Sequence, residues 1–581
     1  MAAVRTLLLH PEDSPRSGPW ARQQWDLIVD LGKSSESTAA AWQKLARCPV
    51  LRLQSFRHSV DDPHSAGEIL RGGFGQLIDE CGLDWWELTS LFVHAELETA
   101  IALRRLTAND IYRGELFSTR PDWPVSGFTS LIGRDVRPFS GAAKPNRLGR
   151  MRRYARAFSK LSAAQTLEVI WDKYDSGYEW RSRLNARPRR SSEPAVLLPS
   201  GYTNVSRVAA AYASLLPEQR FLLVATRRSG LQFDRPANVR VTRLAGYAEA
   251  RRGDLKIAAI LSGWSTLRAQ LGETPEIDVL NRSGVLDPFG HWFRSGMAVR
   301  DAWRSVLDHE PVTAVLCGDD SNWYTRLPVM LARMRGLPTV DFHHGAFDGR
   351  YLLKRLPSDV YLAKSYMEQD YLVHVCQLPA EHVVLGAPME PNPQTVVQGG
   401  DKSSIIFFSE PAESVGGRSE EVYRELIPEL LKIADDHRKA LIVKLHPFEN
   451  PKQRLRLLES VLGSEQSVKI KIVSAPLSAD LLATAWFGIT VESTAVVDCA
   501  QCAVPCFLCE WLSVTPFGYI QQYARFGLGC LLHSPSEVAE IPRILAKEMF
   551  TPPAGNARIG PRITGATLQR LFTGRCTAGA K

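Results

Sequence analysis

The chain alternates between short unbroken apolar runs and longer stretches in which apolar residues recur at helical spacing. Apolar runs at 5–10 (RTLLLH), 25–32 (WDLIVDLG) and 48–56 (CPVLRLQSF) are bounded by turn residues, the pattern of parallel strands buried on both faces. Helical spacing follows at 85–106, and 112–124 reads as a further strand running into a loop. A second series opens at 194–217 with a strand, a Gly-containing loop and a helix, and continues with predicted strands within 220–226, 312–322, 337–349, 359–367 and 382–391. The third begins after the Pro/Gly-rich stretch 391–403, with strands predicted within 404–410, 439–447, 469–474, 486–493 and 504–510 and a helix at 419–437. Strands alternating with helices predict doubly wound sheets.

Four segments result: an N-terminal α/β module (1–143), a basic, mainly helical connector (144–193), an acceptor-side Rossmann-like domain (194–393) and a donor-binding Rossmann-like domain with C-terminal helices (394–581). The predicted class is α/β, two Rossmann-like domains facing a cleft plus the additional module. Ligands of open α/β sheets bind outside the carboxyl ends of the strands, so the chemistry is expected on the polar strand tips.

Length and composition agree. At 581 residues the chain exceeds one core, and 45% apolar with 23% charged residues is the balance of an ordinary globular protein. Nowhere does an apolar run reach membrane-spanning length. The initial run is too short for a signal peptide and the ten cysteines are scattered, so a reduced, cytoplasmic setting is expected. Charge changes the picture in one place: between Lys144 and Arg190 stand 13 Lys/Arg against 4 Asp/Glu, within a chain of net charge +8. Such a belt is either a solvated linker or a surface for anionic membrane, which would place the protein peripherally at the inner face. Few aromatics interleave with the arginines in a stacking pattern, so nucleic acid is not expected.

The most informative tip is KLHPFEN (444–450). Lys444 and His446 lie two apart on a predicted strand and share a face; together they can neutralise phosphate oxygens, and His446 can protonate a leaving group. At 489–500 a strand meets a helix through Glu492, Ser493 and Thr494, where hydroxyls and free backbone N–H groups make a phosphate seat or simply a cap. In DFHHGAFDG (341–349), Gly345 permits close backbone approach and His344 is a candidate base. GDDSN (318–322) supplies Asp319 and Asp320, carboxylates that either activate an acceptor hydroxyl or form a turn. Glu410 is a further candidate at the end of the 404–410 strand. Dinucleotide, P-loop, nucleophile-elbow and zincin motifs are absent from the sequence.

HHG (343–345), GAP (386–388), KLHP (444–447) and ESTAVVDCAQCAVP (492–505) together resemble the GT-B glycosyltransferases over about residues 190–545. The likeness is to bacterial surface-polymer enzymes: capsule Kdo-transferases, polysialyltransferases and CDP-glycerol glycerophosphotransferases. Asp498 stands where many of these have a sugar-contacting Glu, and Ala503 where they have Gly. The resemblance implies transfer of a sugar or polyol phosphate from a nucleotide-activated donor to a saccharide or lipid-linked acceptor, without metal or other cofactor. It puts His446 on the donor phosphates, Lys444, Glu492, Ser493, Thr494, Glu410 and Gly345 around the donor, and His344, Asp319 or Asp320 on the acceptor side. A UDP-GlcNAc 2-epimerase-like reaction and a non-catalytic scaffold are the alternatives.

Four cysteines, Cys499, Cys502, Cys506 and Cys509, fall within eleven positions of the last motif. A zinc ribbon needs the two pairs about 15–20 residues apart. Moreover, Cys506 and Cys509 are three apart on a predicted strand and point oppositely. They are expected to be small buried hydrophobes where a helix packs on the sheet.

Overall fold

The computed structural model describes residues 4–11, 13, 23–32, 34–56, 66–71, 77–108, 114–139, 188, 191–231, 233–248, 254–318, 323–343, 358–388, 402–412, 419–446, 449–475, 477–513, 519–547 and 560–574. Nearly all of the basic connector lies outside them. So do Asp319, Asp320, His344 and Gly345.

Three parallel sheets account for every named strand. The first contains β1 (Arg5–Leu9), β2 (Leu27–Asp30), β3 (Val50–Arg52), β4 (Glu115–Ser118) and β5 (Val136–Pro138), in the order β3-β2-β1-β4-β5. The second contains β6 (Ala195–Ser200), β7 (Phe221–Ala225), β8 (Val239–Arg243), β9 (Val312–Cys317), β10 (Thr339–Phe342), β11 (Val360–Ala363) and β12 (Val383–Leu385), in the order β12-β11-β10-β9-β6-β7-β8. In the third, β13 (Ser404–Phe408), β14 (Ala440–Lys444), β15 (Lys471–Val473), β16 (Ala485–Thr490), β17 (Cys506–Cys509) and β18 (Cys530–Leu532) are ordered β15-β14-β13-β16-β17-β18. Each sheet runs outward one way from its first strand and then, after a crossover, the other way. That doubly wound order creates a crevice beside the first strand, at β1/β4, β6/β9 and β13/β16.

The expected α/β class holds: two Rossmann-like units and an additional N-terminal α/β module, each built on a parallel, doubly wound sheet. The cause is visible in β13, SIIFF, which is buried along its whole length. Ile405 and Phe407 enter one apolar core and Ile406 and Phe408 another, so alternate residues fill the layers on opposite faces. Fully burying each such side chain stabilises by about 1.5–3 kcal/mol. Strands β5, β8 and β18 had no sequence counterpart. β5 and β18 have three residues each and all three lie at sheet edges, too short or too polar (VRVTR in β8) to show a run.

The last helix, Gly565–Phe572, does not stay with the third sheet as the 394–581 unit anticipated. Ile563, Leu568, Leu571 and Phe572 join Val196, Tyr212 and Phe221 in the core of the second sheet. The returning chain is fastened at Ala387, which accepts from Ile563 N–H at 2.9 Å and donates to Pro561 carbonyl at 3.0 Å. A Cβ on Gly386 would lie 2.7 Å from Ile563 Cβ, so the GAP segment is shaped by this close approach.

The helices Trp85–Thr89 and Leu91–Thr107, although in the N-terminal module by sequence, share a core with the second sheet. Ion pairs reinforce that joint, among them Asp79–Arg300 at 2.6 Å, fully buried at both ends, Glu87–Arg326 at 2.7 Å, and Arg104–Glu276. Asp79 also accepts from Trp85 Nε1 and two backbone amides, so its charge is satisfied on several sides.

Candidate functional site

The crevice of the third sheet opens between β13 and β16, and three adjacent strand tips line it: Ser409–Glu410 after β13, Leu445–His446 after β14 and Val491–Glu492 after β16. The sheet order thus brings together five of the predicted residues, Glu410, His446, Glu492, Ser493 and Thr494, from segments up to 84 positions apart. Lys444 ends β14 beside them.

Glu410 is the centre of this arrangement. Its carboxylate accepts from Thr490 Oγ1 at 2.6 Å and from Glu492 N–H at 2.9 Å. Burial, and secondarily the nearby Glu492 carboxylate, raise its pKa to about 7, against the hydrogen bonds from Thr490, Glu492 and Ser493 that favour the charged form. The backbone amides expected to seat a phosphate therefore already hold Glu410, and the turn 490–493 is folded around it. Glu492 in turn accepts from Ser513 Oγ. Ser493 Oγ accepts from Ala495 N–H at 3.3 Å, while Thr494, the N-cap of the seven-residue helix Ala495–Gln501, makes no side-chain cap bond.

At the β14 tip the fastening is done by a residue that the motif reading passed over. Glu449 is buried and accepts from His446 N–H at 2.7 Å, Ser409 Oγ at 2.7 Å and Arg454 Nε at 2.6 Å. Ser409 also meets Tyr423 Oη at 2.8 Å, and the Arg454 guanidinium lies over the Tyr423 ring. One carboxylate thereby ties the tips of β13 and β14 together and sets the backbone from which His446 projects. Its sequence signal was the Glu before Asn450-Pro451, a helix start whose Asn side chain caps Lys452 and Gln453. Lys444 is buried and its ammonium donates to Leu445 carbonyl at 2.6 Å; burial lowers its pKa, with Glu449 opposing. In this structure it braces the strand end.

Asp498 belongs to the helix Ala495–Gln501 and is the element's water-accessible acid. Packing around this helix raises its pKa, while the charges of Lys364 and Arg207 of the second-sheet unit pull it down. Lys364 follows β11, and Arg207 lies on the helix Thr203–Ala213 that follows β6. Charge of the second-sheet unit is thus felt at this helix. A further tie, Arg525 to Asp370 at 3.0 Å, also joins the two units.

The cysteines behave as packing residues. Cys499 and Cys506 lie against Gly488, where a Cβ would come within 3.1 Å of one sulfur and 3.4 Å of the other. Cys506 enters one core and Cys509 the opposite one, as their odd spacing on a strand requires. Burial, then the bond to Cys506, raises the Cys499 thiol well above its ordinary pKa, so the thiolate is disfavoured. Among the described residues no group of three His, Cys, Asp or Glu could hold a metal ion. Nor is any described helix long and apolar enough to cross a membrane.

No protein-family model matches the chain, and no curated protein matches its sequence. Solved structures overlap with it in part. One, a putative UDP-N-acetylglucosamine 2-epimerase from Listeria monocytogenes, is 13% identical over 66% of this chain and 95% of its own, with a TM-score of 0.42. Another, the wall teichoic acid polymerase TagF, is 10% identical over 74% of this chain and 98% of its own, with a TM-score of 0.39. A glycosyltransferase from Rickettsia africae ESF-5 is 11% identical over 66% and 96%, with a TM-score of 0.36. Identities and scores this low say nothing of the reaction; the fold rests on the order of the three sheets.

Proposed function

We propose that the protein is a nucleotide-sugar enzyme of GT-B type that transfers a sugar or polyol phosphate to a saccharide or lipid-linked acceptor. The observation that carries this reading is the β13/β16 crevice, where Glu410, His446, Glu492, Ser493 and Thr494 converge on a unit tied to a second Rossmann-like unit by Arg525 and Asp370. A donor nucleotide lies along the third sheet, with His446 and the hydroxyls of Ser493 and Thr494 toward its diphosphate. The raised pKa of Glu410 suits this role, since a neutral carboxyl beside Glu492 lowers the repulsion an incoming anion meets. In this reading Arg207 and Lys364, whose charges reach the helix Ala495–Gln501, stabilise negative charge that develops on the leaving diphosphate. The acceptor base comes from the second-sheet side, where Asp319, Asp320 and His344 follow β9 and β10 in sequence. The 144–190 belt gives the enzyme an anionic membrane surface near a lipid-linked acceptor, at the inner face of the cytoplasmic membrane.

Thermal unfolding with CMP, CDP, UDP and GDP tests the reading. A nucleotide that binds only the folded chain stabilises it by about 2.7 kcal/mol at a hundredfold excess over Kd. One of the four is expected to raise the midpoint, and His446→Ala is expected to weaken that shift. No shift with any of them would refute the donor site.

A further inference from the structure

The first sheet has the same doubly wound order as the other two, so its carboxyl edge is a place where a ligand would ordinarily bind. It is used differently. Ser35 lies beyond the end of β2 and caps the helix Glu36–Ala46, accepting from Thr38 N–H at 3.2 Å. Glu421, from the first turn of the helix Ser419–Asp436 in the third-sheet unit, reaches this cap. Its carboxylate accepts from Ser35 N–H at 2.7 Å and from Thr38 Oγ1 at 2.7 Å. Glu425, one turn on, accepts from Ser35 Oγ at 2.9 Å. A carboxylate at a helix N-terminus is favoured by the free amides and by the helix dipole, and all three groups at the Glu421 contact are buried.

The contact continues inward. The other Glu425 oxygen accepts from Trp511 Nε1 at 2.6 Å. Trp511 lies in the short turn Glu510–Leu512, which Ser513 closes by donating its N–H to Glu510 carbonyl at 3.0 Å. Ser513 Oγ then donates to Glu492, whose own N–H is held by Glu410. A path of hydrogen bonds joined by the short backbone turn Glu510–Ser513 therefore runs from the first sheet to the β13/β16 crevice.

The module's two joints differ in kind. Toward the second sheet it shares an apolar core and buried ion pairs. The two cores flanking the first sheet itself contain no residue of the third-sheet unit among the described residues, so this second joint is polar. Polar joints of this sort open at lower cost than apolar ones.

We propose that the N-terminal module is a clamp: anchored on the second sheet, it grips the helix Ser419–Asp436 through Ser35 and Thr38 and thereby fixes the Glu492 side of the crevice. It regulates the site by docking and undocking, and this holds whatever ligand the crevice takes. Amide hydrogen exchange on the full chain without ligand tests it, in Ser35→Ala/Thr38→Val and in Glu421→Ala. Glu421 touches Ser35 and Thr38 but not Trp511, so its removal takes two of the clamp's three bonds, leaving Ser35 Oγ on Glu425, without disturbing the inner path. Both variants are expected to exchange about tenfold faster over 485–513, with β1, β2 and β6 unchanged, since each loses hydrogen bonds to a charged group. Unchanged exchange over 485–513 in either variant would overturn the proposal. So would acceleration confined to the Ser35 variant with melting of Glu36–Ala46, which would report only a lost helix cap.

Discussion

The first and third sheets are built on one plan and put its carboxyl edge to opposite uses. In the third, the β13/β16 crevice concentrates carboxyls: Glu410 is enclosed at its edge near Glu492, and burial first, then the Glu492 carboxylate, raises the Glu410 pKa to about 7. In the first, the β1/β4 edge is spent on internal bonds. His10 Nε2 meets Trp123 carbonyl at 3.0 Å, and Asp13 accepts from His10 N–H at 2.8 Å and from Thr119 Oγ1 at 2.5 Å. Beyond β2 the same edge docks Glu421. Topology makes a crevice available, then; whether it becomes a site depends on whether its polar groups satisfy each other or are left charged and enclosed.

Three substitutions probe that contrast. The largest effect is expected for Glu449→Ala, which strands the buried Arg454 and frees both strand tips. Breaking one side of such a pair costs about 3–5 kcal/mol, read from the denaturant midpoint. Glu410→Gln should follow. The folded chain holds this proton more tightly than the unfolded chain, whose carboxyl has a pKa near 4.5. Its contribution to stability is therefore full below about 4.5 and is lost as pH rises through about 7. The variant lacks that loss, so wild type should weaken against it by about 1 kcal/mol per pH unit across this window. A difference independent of pH would mean that burial does not hold Glu410 protonated as described. The smallest effect belongs to His10→Ala in the first sheet. It removes the bond to Trp123 carbonyl, costs about 1 kcal/mol, and should leave any nucleotide-induced shift unaltered. A lost shift would make the first edge a ligand site as well.

Much of this architecture could be read from the chain because parallel strands buried on both faces must be apolar end to end. SIIFF, ALIVK and AVLLPS admit few other structures. Edge strands escape that logic: β5 and β18 bury too little to show a run. The crevice was legible to the extent that polar residues follow those strands, and Glu410, His446 and Glu492 do converge. What stayed hidden were the partners. Glu449 sits beyond the proline that ends the KLHP motif, and only its bonds to Ser409 and Arg454 show that it aims the histidine's backbone. Asp498 was visible as a departure from the family pattern, but the pull of Lys364 and Arg207 on it depends on how two separate sheets are set against each other. Glu421 reads as an ordinary acidic first turn until Ser35, 386 positions away, arrives beside it.

The return of the final helix to the second sheet has a mechanical consequence. Because the backbone passes from the second unit to the third and back again, the two are joined by two covalent crossings. A cut in either crossing alone therefore leaves the two units covalently joined through the other, which a pair linked once would not survive.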